Sequence, residues 1–322
     1  MKKVNVAIVG LGGHGLTIRK AVKLCGKMNI VACYDVNEKL LEEAVAEFNC
    51  KKFSNYDELL EYDDVRAVII VTPNYLHFTQ AYKALVKGKD VFVEKPITVN
   101  VDEARKLVKL ADVKKLILQV GHNTRKRKVF RKAKEIIESG ELGKVTFFEA
   151  NISMSTGLGY FPKWKMDKSK CPLLPMTQLG IHFIDTINYL LGRVSEVSCY
   201  ARKAFLKVED TAVALIKLSN SIVGLISSSY VCGDIYELKI HGTDATVICY
   251  IDRVELLRRG EGKPEVFNLK EDIESYIEEM DEFANCVIKR EKPEVDGRVG
   301  LENLRVIEAM IESIKKKKSV KL

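Results

Sequence analysis

The chain has 322 residues, 52 lysines and arginines against 44 aspartates and glutamates, a formal net charge of +8, and 47% hydrophobic residues. That length exceeds the roughly 250–300 residues at which one hydrophobic core stops growing, so one domain boundary is expected. The basic spots Arg125-Lys126-Arg127-Lys128 and Lys315 to Lys318 come without aromatic interleaving or a nucleic-acid motif and read as solvated helix faces, which argues against a nucleic-acid partner and leaves room for an anionic small substrate. No apolar run approaches the roughly 18 residues of a membrane span, and the chain enters its first strand with no leader-like segment, so a cytoplasmic protein is expected, with no membrane partner. Eight scattered cysteines show no CxxC pair and no Cys/His cluster at ligand spacing. They read as reduced core thiols, and no metal site is expected.

Residues 4 to 9, Val-Asn-Val-Ala-Ile-Val, are short and β-branched and read as a buried parallel strand. Glycines follow directly: Gly10, Gly12, Gly13 and Gly15, with His14 among them. Gly10 makes the tight turn, Gly12 admits a pyrophosphate close to the backbone, and Gly15 lets the helix over 14–25 pack on the strand with its positive N-terminus toward the phosphates. A second apolar run, Ile30 to Tyr34, ends in Asp35, twenty positions beyond Gly15. An acid there accepts from a ribose hydroxyl. A glycine-rich surface turn would not keep strand, loop, helix, second strand and terminal acid in this register. The carboxylate would repel a 2′-phosphate and no arginine stands at 36–38, which favours NAD and leaves NADP open.

Helix and strand then alternate: helix 37–48, Lys52-Phe53, a short helix near 56–62, strand 65–71, helix 75–87, strand 90–93, helix 101–112 and strand 116–120. This pattern predicts a doubly wound parallel sheet, an α/β Rossmann domain over 1–121 with ligands at the carboxyl ends of its strands. From 122 to 322 the pattern changes. A helix over 127–139 stops at Ser139-Gly140, a long strand runs over 144–153, and an irregular stretch, 156–175, holds three prolines and the only tryptophan, Trp164. A helix over 177–191 precedes apolar runs at 194–203, 209–218, 222–231, 235–241, 245–250 and 253–257, which read as an antiparallel meander. Helices at about 272–289 and 298–317 close the chain. The second domain is therefore expected to be α+β, a largely antiparallel open-faced sheet with helices on one face. A second copy would most simply cover the other face, giving a homo-oligomer, a dimer or tetramer.

Thr72-Pro73-Asn74 with His77, then Ala81, Ala84, Gly88-Lys89 and Glu94-Lys95-Pro96, resemble the glucose-fructose oxidoreductase, inositol dehydrogenase and rhizopine-catabolism family, Gfo/Idh/MocA. The resemblance continues through Val120-Gly121-His122-Asn123 with Arg125, Ser139-Gly140-Glu141-Leu142-Gly143, Leu179-Gly180-Ile181-His182 with Asp185, and Glu209-Asp210-Thr211, and reaches Gly300-Leu301 and Val306-Ile307-Glu308-Ala309. It implies an NAD(P)-dependent oxidoreductase acting on a secondary alcohol or ketone of a sugar, polyol or nucleotide sugar, with the matching Lys95 catalytic. An imine or ene reductase on the same fold, or a nicotinamide-binding regulator or scaffold that has lost turnover, are the rival readings.

The residues support those roles on their own terms. Lys95 lies at the carboxyl end of a central strand, where its ammonium can hydrogen-bond a reacting hydroxyl or polarise a ketone. Glu94 orients Lys95 or the nicotinamide ribose, or makes a purely structural bond. Thr72, Pro73, Asn74 and His77 stand at the same end of the sheet and are counted with the cofactor residues, although His77 also reads as a structural hydrogen-bonder. On the helix over 177–191, Gln178, His182 and Asp185 fall on one face at i, i+4 and i+7, and His182 is the residue most easily poised to move a proton near neutral pH. Members of the family that resemble this chain carry aspartate where Gln178 stands and glycines where Cys171-Pro172-Leu173 stand. A glutamine cannot ionise, so Asp185 becomes a candidate partner for His182. Asn123 and Arg125, past the domain junction, could reach a substrate, Arg125 as an anion clamp or as one half of a salt bridge. Trp164 and Tyr160 could stack on a sugar ring or simply anchor their loop.

Overall fold

The computed structural model describes residues 3–322. In chain order the first elements are β1 (Val4–Val9), α1 (His14–Cys25), β2 (Met28–Tyr34), α2 (Glu38–Phe48), β3 (Lys51–Phe53), α3 (Tyr56–Leu60), β4 (Ala67–Ile70), α4 (Asn74–Val86), β5 (Asp90–Glu94), α5 (Val101–Lys114) and β6 (Leu118–Gly121). Three asparagines start helices in this stretch: Asn37, Asn55 and Asn100 accept backbone N–H bonds from Lys39, Asp57 and Glu103. The six strands form one parallel sheet in the order β3-β2-β1-β4-β5-β6. Strand order reverses at β1, which places a ligand crevice beyond the carboxyl ends of β1 and β4.

The chain continues with α6 (Lys128–Glu138), β7 (Val145–Ser153), two 3-10 turns at Thr156–Leu158 and Lys163–Met166, a π turn at Met176–Gly180, and α7 (Ile181–Leu190). Then come β8 (Val194–Arg202), β9 (Thr211–Leu218), β10 (Val223–Ser229), β11 (Ile235–Gly242), β12 (Ala245–Cys249), β13 (Arg253–Arg258), β14 (Glu265–Asn268), α8 (Glu274–Lys289), α9 (Gly297–Lys316) and β15 (Val320–Lys321). The second sheet has nine strands in the order β14-β13-β12-β11-β7-β10-β9-β8-β15. It is mostly antiparallel, as expected, with one correction to the uninterrupted meander. The long strand β7 lies between β10 and β11 and runs parallel to β10. Gly224 permits that pairing, because a Cβ there would stand 2.4 Å from the Phe148 carbonyl oxygen.

Phe130 and Ala133 of α6, Phe183 and Ile187 of α7, and Val306 and Met310 of α9 pack on the inward residues of this sheet. The outward face keeps Phe147, Leu215, Val223 and Tyr200 exposed. On β9 the exposed Leu215 alternates with the buried Ala214 and Ile216, the period of a strand with one face covered.

The molecule divides into two compact units, residues 1–123 with 273–302, and residues 124–272 with 303–322. The stretch 273–302, assigned from the sequence to the second domain, belongs with the first. The reason lies in α8, whose Met280, Phe283, Ala284 and Val287 join the core containing Ile8, Ile18, Val22 and Phe92, with Phe283 edge-on to Phe92 at 5.8 Å. Lys27 adds an ion pair to Asp281.

α1 approaches β1 closely enough that a Cβ on Gly15 would lie 2.3 Å from the Gly10 carbonyl oxygen. Backbone cannot swing aside as a side-chain tip can, so Gly15→Ala is expected to lower stability by about 1–3 kcal/mol, the cost of overpacking. Urea unfolding checks this, and an unchanged midpoint would contradict the close approach.

Candidate active site

In the first unit Gly10 turns the chain at φ +91°, in a slot where a Cβ would sit 2.8 Å from Val71. The Asp35 carboxylate closes the loop from the end of β2: one oxygen takes the Leu11 N–H at 2.7 Å and the other the Asn37 N–H at 2.9 Å. A carboxylate has about four lone-pair positions, so two remain for the ribose hydroxyls of a dinucleotide. Gly13, at φ +54°, precedes α1 with no side-chain cap, and a Cβ there would meet nothing within 4 Å. An uncapped helix N-terminus facing open space accepts a pyrophosphate. Asn74, at the start of α4, is buried, and its Nδ2 has no hydrogen-bond partner among the described residues, a donor that a bound ligand would satisfy. The residues present therefore fit a dinucleotide.

β5 ends at Glu94, and Lys95 follows, half-buried, before a cis Pro96. The Glu94 carboxylate accepts from the Lys95 backbone N–H at 3.1 Å and meets His14 Nε2 at 3.2 Å. Gly121 on neighbouring β6 makes room for it, since a Cβ there would lie 2.8 Å from Glu94 Oε1. Burial works against ionisation of Glu94, yet the His14 ring and the Lys95 charge hold its carboxyl below the ordinary range. His14 is half-exposed, as a first-turn residue should be, and also packs edge-on to Tyr276 at 5.2 Å. It thus ties the glycine loop to the strand carrying Lys95.

His77 is buried with Nδ1 on the Pro96 carbonyl and Nε2 on the Thr72 carbonyl, both at 2.8 Å. Burial pushes its pKa down and the two carbonyls pull it up, with burial prevailing. A neutral ring has one N–H to donate, so in either tautomer one of these two carbonyls takes the hydrogen bond and the ring packs between the ends of β4 and β5. The Thr72 hydroxyl in turn donates to Gln80 at 2.6 Å, and Pro73 sets the start of α4. Asn123 donates to Ser275 at 3.1 Å within the same unit.

In the second unit the predicted helix over 177–191 begins as the π turn Met176–Gly180 before becoming α-helical at Ile181. The wider turn changes the angular offset between Gln178 and the residues beyond it, so the i, i+4 relation read from an α-helix does not apply. Gln178 is buried and donates Nε2–H to Cys171 Sγ at 3.5 Å. His182, half-buried, has its Nδ1 at 2.9 Å from the Thr124 hydroxyl, which fixes the ring in either tautomer. Thr124 was missed in the sequence, although its neighbours Asn123 and Arg125 were singled out.

Asp185 has another task than serving His182. It is fully buried in a fork with Arg125, Nε to Oδ2 at 2.8 Å and Nη2 to Oδ1 at 2.5 Å, and takes the Asn303 amide at 2.6 Å. The salt-bridge alternative for Arg125 is the one observed. Leu173 stands where the family resemblance implies glycine, and its φ of +47° is a left-handed conformation that glycine adopts freely. Trp164 lies half-buried against the core of this unit, whereas Tyr160 is exposed.

Two outcomes follow from these contacts. Asp185→Asn leaves a buried guanidinium without its counter-charge and is expected to cost about 3–5 kcal/mol of stability. The alkaline and acid limbs of the activity profile should stay in place, because Thr124 still holds His182; a displaced limb with unchanged melting temperature would reverse that assignment. Asp35→Ala combined with Val36→Arg removes the carboxylate and adds a phosphate partner at an exposed position, so the ratio of kcat/KM for NADPH over NADH should rise by about tenfold or more. An unchanged ratio would remove Asp35 from the ribose.

The family profile described as an oxidoreductase family with an NAD-binding Rossmann fold, Gfo/Idh/MocA, matches residues 4–122, and its C-terminal alpha/beta domain matches residues 134–322. Glucose-6-phosphate 3-dehydrogenase of Bacillus subtilis is 30% identical over 192 residues, 59% of this chain and only 54% of that enzyme. Myo-inositol 2-dehydrogenase of Thermotoga maritima is 27% identical over 339 aligned positions, 99% of this chain and 98% of that one. Among solved structures, a Desulfitobacterium hafniense protein described as an NADPH-dependent oxidoreductase superposes with a TM-score of 0.93 at 26% identity, over 100% of this chain and 98% of the other. Both halves of the sequence are accounted for, and the chain belongs to the Gfo/Idh/MocA family of NAD(P)-dependent oxidoreductases.

Proposed function

We propose that the protein moves hydride between NAD, or NADP, and a secondary alcohol or ketone of a sugar, polyol or nucleotide sugar, with Lys95 and His182 as the acid–base groups. The observation that carries this reading is the Glu94-Lys95 corner. A lysine ends a central parallel strand, and the adjacent carboxylate is joined to His14 of the glycine loop. The full-length likeness to an inositol dehydrogenase supports a polyhydroxy substrate. The dinucleotide, when bound, supplies the hydride acceptor or donor. In oxidation the carbinol C–H bond breaks with its electron pair leaving for that acceptor, the C=O bond forms, and the hydroxyl proton passes to Lys95 or His182; reduction runs the same path backwards. Thr124 orients His182 through Nδ1, which directs Nε2 as the nitrogen for proton transfer.

We further propose that the protein works as a homo-oligomer built on the outward face of the nine-stranded sheet. Phe147, Val223, Leu225 and Leu215 follow one another across β7, β10 and β9 in register, and Leu215 is 59% and Tyr200 76% exposed. A contiguous apolar patch of this kind is usual at an interface and costly in water. No described helix is long and apolar enough to cross a membrane.

Lys95→Ala should lower kcat by roughly two to four orders of magnitude with little change in the Kd for NADH, and His182→Asn should remove one limb of the pH profile. Absorbance at 340 nm over a panel of sugars, polyols and nucleotide sugars supplies the assay, and a Lys95→Ala enzyme with most of its rate would refute the assignment. Leu215→Glu should convert the oligomer to monomer in light scattering.

A further inference from the structure

The loop between β7 and α7 carries four lysines at 163, 165, 168 and 170. Lys168 pairs with Glu209 at 2.6 Å and Lys170 with Asp167 at 3.5 Å, and Lys163 is exposed. Lys165 differs. It is partly withdrawn from solvent with its ammonium 5.5 Å from the Phe161 ring, 5.7 Å from Trp164 and 5.8 Å from Tyr230. Phe161 and Tyr230 are themselves buried and meet edge to face at 5.1 Å.

No carboxylate among the described residues pairs with Lys165, and Cys171 is the titratable neighbour that acts on it. Burial accordingly pulls its pKa below that of an ordinary lysine. A cation removed from water is normally paired, and ring faces at these distances compensate it only in part. The other side of the cluster is Cys171, which accepts from Gln178 on the π turn leading into α7 and His182.

We propose that Lys165 is a specificity-determining residue that binds an anionic group, a carboxylate or a phosphate, on a polyhydroxy substrate. The ammonium supplies the counter-charge, and the flanking Trp164 offers an apolar face to the carbon side of a sugar ring. This rests on the reading of His182 and its helix as part of the substrate site, and it narrows the substrate to acidic sugars or polyols.

The test is calorimetric titration of the NADH-loaded full chain with D-glucuronate and D-gluconate as carboxylates, D-glucose 6-phosphate and myo-inositol 1-phosphate as phosphates, and D-glucose and myo-inositol as neutral counterparts. At least one acid should bind about tenfold or more tightly than its neutral counterpart, and whichever of the two acid groups prevails identifies the anion. Lys165→Met should lose on the order of 10- to 100-fold of that affinity, leave neutral ligands unaffected and keep or raise Tm, while Lys165→Arg restores most of the loss. Equal binding of acids and neutral compounds by the parent protein overturns the proposal without any variant. So does a Lys165→Met protein that binds acids as before, or that loses acids and neutral compounds alike with a fall in Tm. Because binding is read without turnover, an acid that binds through Lys165 but is neither oxidised nor, as its keto form, reduced would sink the hydride-transfer reading and leave this one standing.

Discussion

The first unit depends on a backbone-to-backbone approach that only glycine allows. With Gly15 against the Gly10 carbonyl and Gly10 wedged beside Val71, α1 can start directly after the end of β1, with its first turn closed by Gly15 N–H on the Gly12 carbonyl and Leu16 N–H on the Gly13 carbonyl. Asp35 then ties Leu11 to the end of β2, and His14 ties the same loop to Glu94 beside Lys95. The glycine turn is therefore tied to the corner that carries Lys95, the lysine proposed as an acid–base group. A side chain at 10 or 15 would be felt at the end of β5, two strands away in the sheet.

In the second unit the buried ion pair and the histidine proposed for proton transfer are held by different partners. Arg125 and Asp185 lie one residue and three residues from Thr124 and His182, yet they are locked in a buried fork that Asn303 completes. Such a pair is worth little over apolar packing, but removing one member is costly because the other charge stays behind. It keeps a permanent carboxylate engaged close to His182 along α7. The histidine ring is held by a neutral hydroxyl, that of Thr124.

Much of the first unit was legible in the sequence because its signals are local: β-branched runs, glycines at fixed offsets, and an acid at the end of β2. The placement of α8 was not, since a helix distant in sequence shows an apolar stripe without saying which core it fills; Phe283 against Phe92 is a contact between residues almost two hundred positions apart. In the same way the insertion of β7 between β10 and β11 depends on sheet pairing rather than on alternation within any strand. At the site, residue types and identities could be read, and partners could not. Gln178, His182 and Asp185 were read as one face of one α-helix, but Gln178 lies in the π turn that precedes α7, which alters the angular relation, and Arg125 holds the Asp185 carboxylate. Thr124 carries no motif of its own and becomes visible only when the His182 ring is seen to rest on it.

The departures from the family pattern act together. Glutamine at 178 takes a negative charge away from the end of α7 and gives its amide to Cys171. Cys171 is also the titratable neighbour of Lys165, so the ammonium and the amide share one wall of the second unit. The glutamine, unlike a carboxylate, adds no negative charge beside Cys171. Leu173, held left-handed where glycine would be relaxed, costs about 1–3 kcal/mol of backbone strain to maintain between them. A strained leucine, a neutral amide and a lysine with no carboxylate partner among the described residues, all in one loop and turn, are consistent with the anionic ligand proposed for Lys165.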